Sequence, residues 1–346
     1  MATALAPVGL IMAATMSVTN VLTDVARKHA LEDRDLVPAT FWIRIAVTVV
    51  FAVVLLARIV TGAPLAIRDG GALFGIQTLH LAPLPTFLIY LVLDVLLITA
   101  VMWLYFRALQ ISPLSLCVPF LSFTPVFLLF TGFFILGELP APVKILGVVL
   151  IVIGSLVMHR RLFAVSLLAP AKAVIREKGS RYMLLVSMIF AITNPLDKIL
   201  VTMSDVFIEA FAYGAGLCIS FWIMGRMQHA DFAKASRGNW KWISLAGLLD
   251  GVSLLFQLAS YTYIAVVITV SIKRAGIILS VISGWLFFHE RGITDKVIAA
   301  SVMFCGVLIL YLQLSTAEAI ALTALTLIGM GVALYLTRNQ KAEAGS

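Results

Sequence analysis

Two adjacent cations, Lys273 and Arg274, stand in the stretch Ser271-Ile-Lys273-Arg274-Ala-Gly276, whose flanks are otherwise apolar. Arginine grips phosphate or carboxylate with a planar fork, and lysine adds a compact point charge. The pair therefore points to a site for an anion. Neighbouring residues on a helix point about 100° apart, so both can line one cavity without facing the same way. Thr269, Lys273, Gly276, Ser280 and Gly284 follow helical spacing and give a small, polar face with one ammonium on it. The competing reading is that the two cations neutralise buried acids.

Two such acids are Asp94, in Leu93-Asp94-Val95, and Asp250, in Leu249-Asp250-Gly251. Each is followed about three helical turns later by a tyrosine, Tyr105 or Tyr261, which places acid and phenol on one face. Ser253 and Gln257 extend the second face into a polar stripe. A carboxyl kept from water favours its neutral, proton-holding form, so Asp94 and Asp250 are the candidate ion-coupling groups. A structural ion pair is the alternative for each. Asn20 (with Asp24 and Lys28), Asn194 (with Asp197 and Lys198) and the intramembrane cation Arg44 complete the candidate substrate-binding set. Pro195 interrupts backbone hydrogen bonding beside Asn194, and Pro119 and Pro125 should bend their own segment; both are candidate gate elements.

The elements that position these groups follow from composition. Of 346 residues, 62% are hydrophobic and only 12% charged, and the mean hydropathy is +1.07. Soluble domains run at about 45–50% apolar and roughly 25% charged. A soluble core of this length has no place for the surplus, so the solvent must be a bilayer. Soluble enzymes, secreted disulfide scaffolds and disordered chains are excluded. Cys117, Cys218 and Cys305 each lie in an apolar run and suit reduced packing better than disulfides or metal. The net charge of +8 reads as loops facing anionic lipid.

A spanning helix needs about 20 apolar residues. Eleven runs qualify, at 5–24, 38–57, 86–110, 114–136, 142–158, 182–200, 206–225, 241–265, 267–288, 293–313 and 317–336. The first lacks a basic flank and a cleavage site and reads as a retained helix. Most basic residues follow the odd-numbered runs, including Arg27, Arg160, Arg161, Lys172, Arg176, Arg226, Arg237, Arg291 and Arg338. The positive-inside rule then puts the N-terminus outside and the C-terminus in the cytoplasm. The basic, amphipathic 159–181 segment reads as a cytoplasmic interfacial linker.

The chain also repeats itself. Gly137-Glu138, Lys144 and Gly154 recur in register as His289-Glu290, Lys296 and Gly306, and Thr19-Asn20-Val21-Leu22 matches Thr193-Asn194-Pro195-Leu196. Five helices per repeat is an odd number, so the second copy enters the membrane from the opposite face, as in secondary transporters. The expected fold is an all-α polytopic membrane protein with two inverted five-helix repeats, 1–158 and 182–313. One extra transmembrane helix lies in 314–346, giving 11 in all.

The repeat pattern, Pro38-Ala-Thr-Phe-Trp-Ile-Arg44 opening the second run, and Leu-Gly137-Glu138 closing the fourth resemble the EamA branch of the drug/metabolite transporter superfamily. So does the link Phe-Arg107-Ala-Leu-Gln-Ile-Ser-Pro-Leu-Ser115. The order of these short motifs carries the resemblance, over roughly residues 5–313. The eleventh run and the uncharged N-terminus depart from the family pattern. Lys273-Arg274 is similar to a Lys-Arg pair in the ninth helix of plastid triose-phosphate translocators, distant relatives in which the resemblance implies a phosphorylated substrate.

Together these readings predict a secondary active transporter, not an enzyme, moving a small polar and anionic metabolite by alternating access with proton coupling. A flippase or flippase subunit for a lipid-linked headgroup is the alternative; an ion channel would need a filter-like loop that no segment supplies. Glu138 and Glu290 read as interfacial. No G-x-x-x-x-G-K-[ST] or metal-spaced cluster occurs, so no cofactor or metal is expected. The expected partners are a small-molecule substrate and the lipid bilayer of a bacterial inner membrane, without nucleic acid; self-association into a homodimer is left open.

Overall fold

The computed structural model describes residues 2–31, 35–62, 66–68, 82–111, 118–158, 178–237, 239–276, 293–312 and 314–343. Among them the secondary structure is helical throughout: α1 (Ala2–Leu31), α2 (Leu36–Val60), α3 (Pro83–Ile111), α4 (Thr124–Leu136), α5 (Pro142–Met158), α6 (Lys178–Met203), α7 (Val206–Met227), α8 (Trp240–Tyr261), α9 (Val266–Ala275), α10 (Ile293–Tyr311) and α11 (Thr316–Glu343). A one-turn helix, Phe232–Ser236, links α7 to α8. Seven of the described helices are long and apolar enough to cross a membrane, and three shorter apolar helices accompany them. The chain is a multi-pass membrane protein. The segments 159–177 and 277–292, which include most of the basic linker, Ser280, Gly284 and His289-Glu290, lie outside the described residues.

Two local departures from the sequence reading have plain causes. The run 114–136 is not one regular helix: Val118–Phe123 winds as a 3-10 helix before α4 begins with Pro125 in its first turn. A proline lacks the N–H that an α-helix would donate to the carbonyl four residues back, so the tighter turn ends where α4 starts. At the other end Gly137 adopts φ +68° and its N–H donates to Phe133 O, while Glu138 N–H reaches Gly132 O. This is a left-handed helix cap, which explains the Gly-Glu pair structurally. The second departure is α1, which continues to Leu31 and carries Arg27 within the helix, where the sequence reading placed it in a loop.

The helices form two compact units. The first contains Met1–Trp103 and Ile192–Val266; the second contains Leu104–Ala191 and Val267–Ser346. Each unit draws on both sequence repeats. In the first, α1 packs along α8 and α2 along α7, with α8 also touching α2. Phe87 and Tyr90 of α3 bury against Leu196, Leu200 and Met203 of α6, with Ile208 and Ala212 of α7 beside them. In the second unit α5 packs along α10, and α11 covers α10 and α5.

The α5–α10 contact is backbone against backbone. A Cβ on Gly147 would lie 2.8 Å from Gly306 O, and one on Gly306 would lie 2.7 Å from Gly147 O. Small residues are how membrane helices approach so closely. Lys144 of α5 then donates its Nζ to the carbonyls of Ile309, Leu310 and Leu312, closing the end of α10. Terminal carbonyls without helical donors need such a partner.

Candidate functional site

In the first unit, α7 starts on a well-built cap. Asp205 Oδ1 accepts from Phe207 N at 2.8 Å and Ile208 N at 3.0 Å, and its other oxygen accepts from Arg58 Nη1 at 2.7 Å. Arg58 also lies over the Phe207 ring. This anchoring holds the first turn against α2 and fixes Glu209 one turn inside α7, where it is fully buried.

The polar stripe expected on α8 comes together with the asparagine expected from α6. Gln257 Nε2 donates to Tyr261 Oη at 3.0 Å, and Tyr261 Oη donates to Asn194 Oδ1 at 2.7 Å. All three residues are buried. Pro195 follows Asn194 inside α6 and has no N–H for Ala191 O, four residues back. In the second unit that carbonyl instead accepts from Thr131 Oγ1 of α4 at 2.5 Å. The backbone group released by the proline is thus used within the protein.

The two predicted acids have unlike surroundings. Asp250 accepts from Arg44 Nη1 at 2.7 Å and from Arg27 Nη2 at 3.1 Å, which ties α8 to α2 and α1. Arg44, expected as a substrate contact, is therefore joined to Asp250. Asp94 is fully buried in α3, and neither of its oxygens has a hydrogen-bond partner among the described residues. The helix packed beside it brings Glu209, whose two oxygens are equally without one. Asp197 of α6 lies within electrostatic reach of both. Val95, next to Asp94, meets α7 so closely that a Cβ on Gly216 would lie 2.6 Å from its Cγ2. A further tie is the 2.5 Å hydrogen bond between the Thr99 and Ser220 hydroxyls.

In the second unit Lys273 and Arg274 lie half-buried in the last turn of α9. Arg274 Nη2 donates to Thr124 Oγ1 at 3.2 Å, and its guanidinium sits 6.0 Å from the Phe190 ring centroid. A hydroxyl and a ring face orient the planar group. Tyr105 packs against the cluster of Ala108, Phe120 and Met183. Asn20 is half-buried on α1 in the first unit.

Glu209 is the residue that sequence reasoning missed. It lies four residues into an apolar run, where a carboxylate reads as interfacial, yet in the fold it is fully buried. Among the described residues no group of three or more His, Cys, Asp and Glu could hold a metal ion.

Comparison with known proteins fits this geometry. One solved structure, described only as a crystal structure of a protein, shares the fold with a TM-score of 0.62 at 14% identity, covering 92% of this chain and 99% of that one. No curated protein matches by sequence. The EamA-like transporter family matches residues 7–160 and again 177–312, which is most of the chain and both of its repeats. The chain belongs to the EamA-like transporter family.

Proposed function

We propose that the chain is a secondary active transporter that carries a small anionic metabolite by alternating access across a bacterial inner membrane. The reading places its N-terminus outside and its C-terminus in the cytoplasm. The observation that carries it is a lysine and an oriented arginine in the last turn of a helix of a transporter-family chain. Such charges are costly in lipid and are retained at substrate and ion paths. In the second unit, Lys273 and Arg274 bind the anion and Tyr105 is a further candidate contact; in the first unit, Asn194, Tyr261, Gln257 and Asn20 are the candidate hydrogen-bonding groups. Asp94 is the coupling carboxyl, whereas Asp250 and Arg44 serve as a positioning pair, because each already holds the other.

Counter-flow in proteoliposomes preloaded with radiolabelled carboxylate and phosphate pools tests this reading. K273M with R274Q should abolish uptake of the exchanged anion while the protein still inserts and runs as a single species. Uptake that survives both substitutions would refute the anion reading.

A further inference from the structure

Asp94 and Asp250 begin as matching residues of the two repeats and end with opposite electrostatics. Asp250 is met by two guanidinium groups. Asp94 is met by α7, which offers Glu209 and Tyr213, and by α6, which offers Asp197. Tyr261 of α8 shares this field, and Arg44 of α2, which also reaches Tyr213, has its Nη1 on Asp250. On α6, Lys198 donates its Nζ to the Ile264 carbonyl. The carboxyl oxygens of Asp94 and Glu209 are thus four buried acceptors with no described donor.

Buried acceptors without donors are expensive in an apolar interior. Among the described residues no group of three or more His, Cys, Asp and Glu could hold a metal ion, so a metal is not the ligand these acceptors point to. A nitrogen cation carries several N–H donors pointing in different directions and needs no such convergence. The protein itself shows the solution at Asp250, where a guanidinium nitrogen fills the role.

We propose that Asp94 and Glu209 form a binding site for an organic nitrogen cation, an alkylammonium or alkylguanidinium group, which takes at Asp94 the place that Arg44 takes at Asp250. Asp197 adds to the attracting field, and the phenol rings of Tyr213 and Tyr261 supply surfaces of the kind that favour cations. Each carboxyl that ionises against the incoming cation releases its proton to solvent, so charge balances without a further ion. The site deepens the transporter reading, on which its use in the cell rests; binding itself requires no flux.

The test is calorimetric titration of the full-length protein in lipid nanodiscs with n-butylammonium, n-butylguanidinium and the neutral alcohol 1-pentanol. A pH-sensitive dye in weak buffer follows protons. Saturable binding of at least one cation, none of 1-pentanol, and proton release on binding are expected; the stronger of the two cations identifies the headgroup. D94N and E209Q should each weaken binding at least tenfold. D231N, at an exposed helix cap that asparagine serves equally well, should not change it. Affinity should fall as the solution is acidified, because protons compete for the same oxygens.

Equal uptake of cations and 1-pentanol, unchanged affinity in both acid variants, or titration by protons alone with no cation effect would each overturn the proposal. If a variant fails to fold, competition between cation and proton on the unaltered protein still decides. Cation binding without anion counter-flow sinks the transport reading and keeps this site. Anion counter-flow without cation binding does the reverse.

Discussion

Arg44 Nη1 lies 2.7 Å from a carboxylate oxygen of Asp250, joining α2 to α8. The pair is largely withdrawn from solvent, with side chains 9% and 14% exposed, while Arg27, at 31%, reaches the same carboxylate from a wetter position. One acid is thus shared by an inner and an outer arginine, and the two should not contribute equally.

Arg44→Met removes the inner cation from Asp250 and keeps the outer one, Arg27. Breaking a buried pair from one side costs about 3–5 kcal/mol, whereas an exposed pair is worth roughly 0–1 kcal/mol. Thermal unfolding followed by fluorescence-detected size exclusion should show a large loss for R44M and a small one for R27M. The double variant R44M/D250L should recover most of the loss, because the inner pair is gone together and the Arg27 left behind is the more exposed of the two cations.

Thr131→Val removes the hydroxyl that serves the Ala191 carbonyl. An unsatisfied buried acceptor costs about 1–3 kcal/mol. Pro195→Ala restores an N–H four residues on from Ala191. Threonine loss should therefore matter much less in the P195A background, and a double-mutant cycle measures that coupling.

Gly147→Ala and Gly306→Ala each place a methyl against a backbone carbonyl at under 3 Å. Both should lower the melting temperature sharply, by separating α5 from α10. Gly329→Ala meets nothing within 4 Å and should leave it unchanged or slightly raised.

Arg274→Lys keeps the charge and loses the planar fork and its seat on Phe190. Counter-flow should show an increase in half-saturation of about tenfold, equivalent to ~1.4 kcal/mol. Lys273→Arg keeps a cation at a position that requires only charge and should shift half-saturation by less. Equal effects would mean that the two cations play the same role.

Much of this arrangement was legible in the chain because lipid leaves few solutions for polar groups. The spacing of Gln257 and Tyr261 placed them on one helix face, where they share a hydrogen bond; that Asn194 of another helix joins Tyr261 was not expected. The acids at 94 and 250 were equally visible, but their difference was not. It depends on which helix packs opposite, and hydropathy does not report that. Glu209 and Arg27 were hidden for a related reason: near the end of an apolar run a charge reads as interfacial, until the helix is seen to continue or a neighbour to cover it. The Gly147–Gly306 contact needs two helices distant in sequence, and the repeat register pairs Gly306 with Gly154, so nothing in the chain pointed to it.

That crossing has a mechanical consequence. Where two helices touch through their main chains, no layer of side chains remains to slip from one set of grooves into the next. Any relative motion of α5 and α10 is therefore confined to scissoring about a fulcrum at Gly147 and Gly306, with displacement growing toward the helix ends and vanishing at the joint.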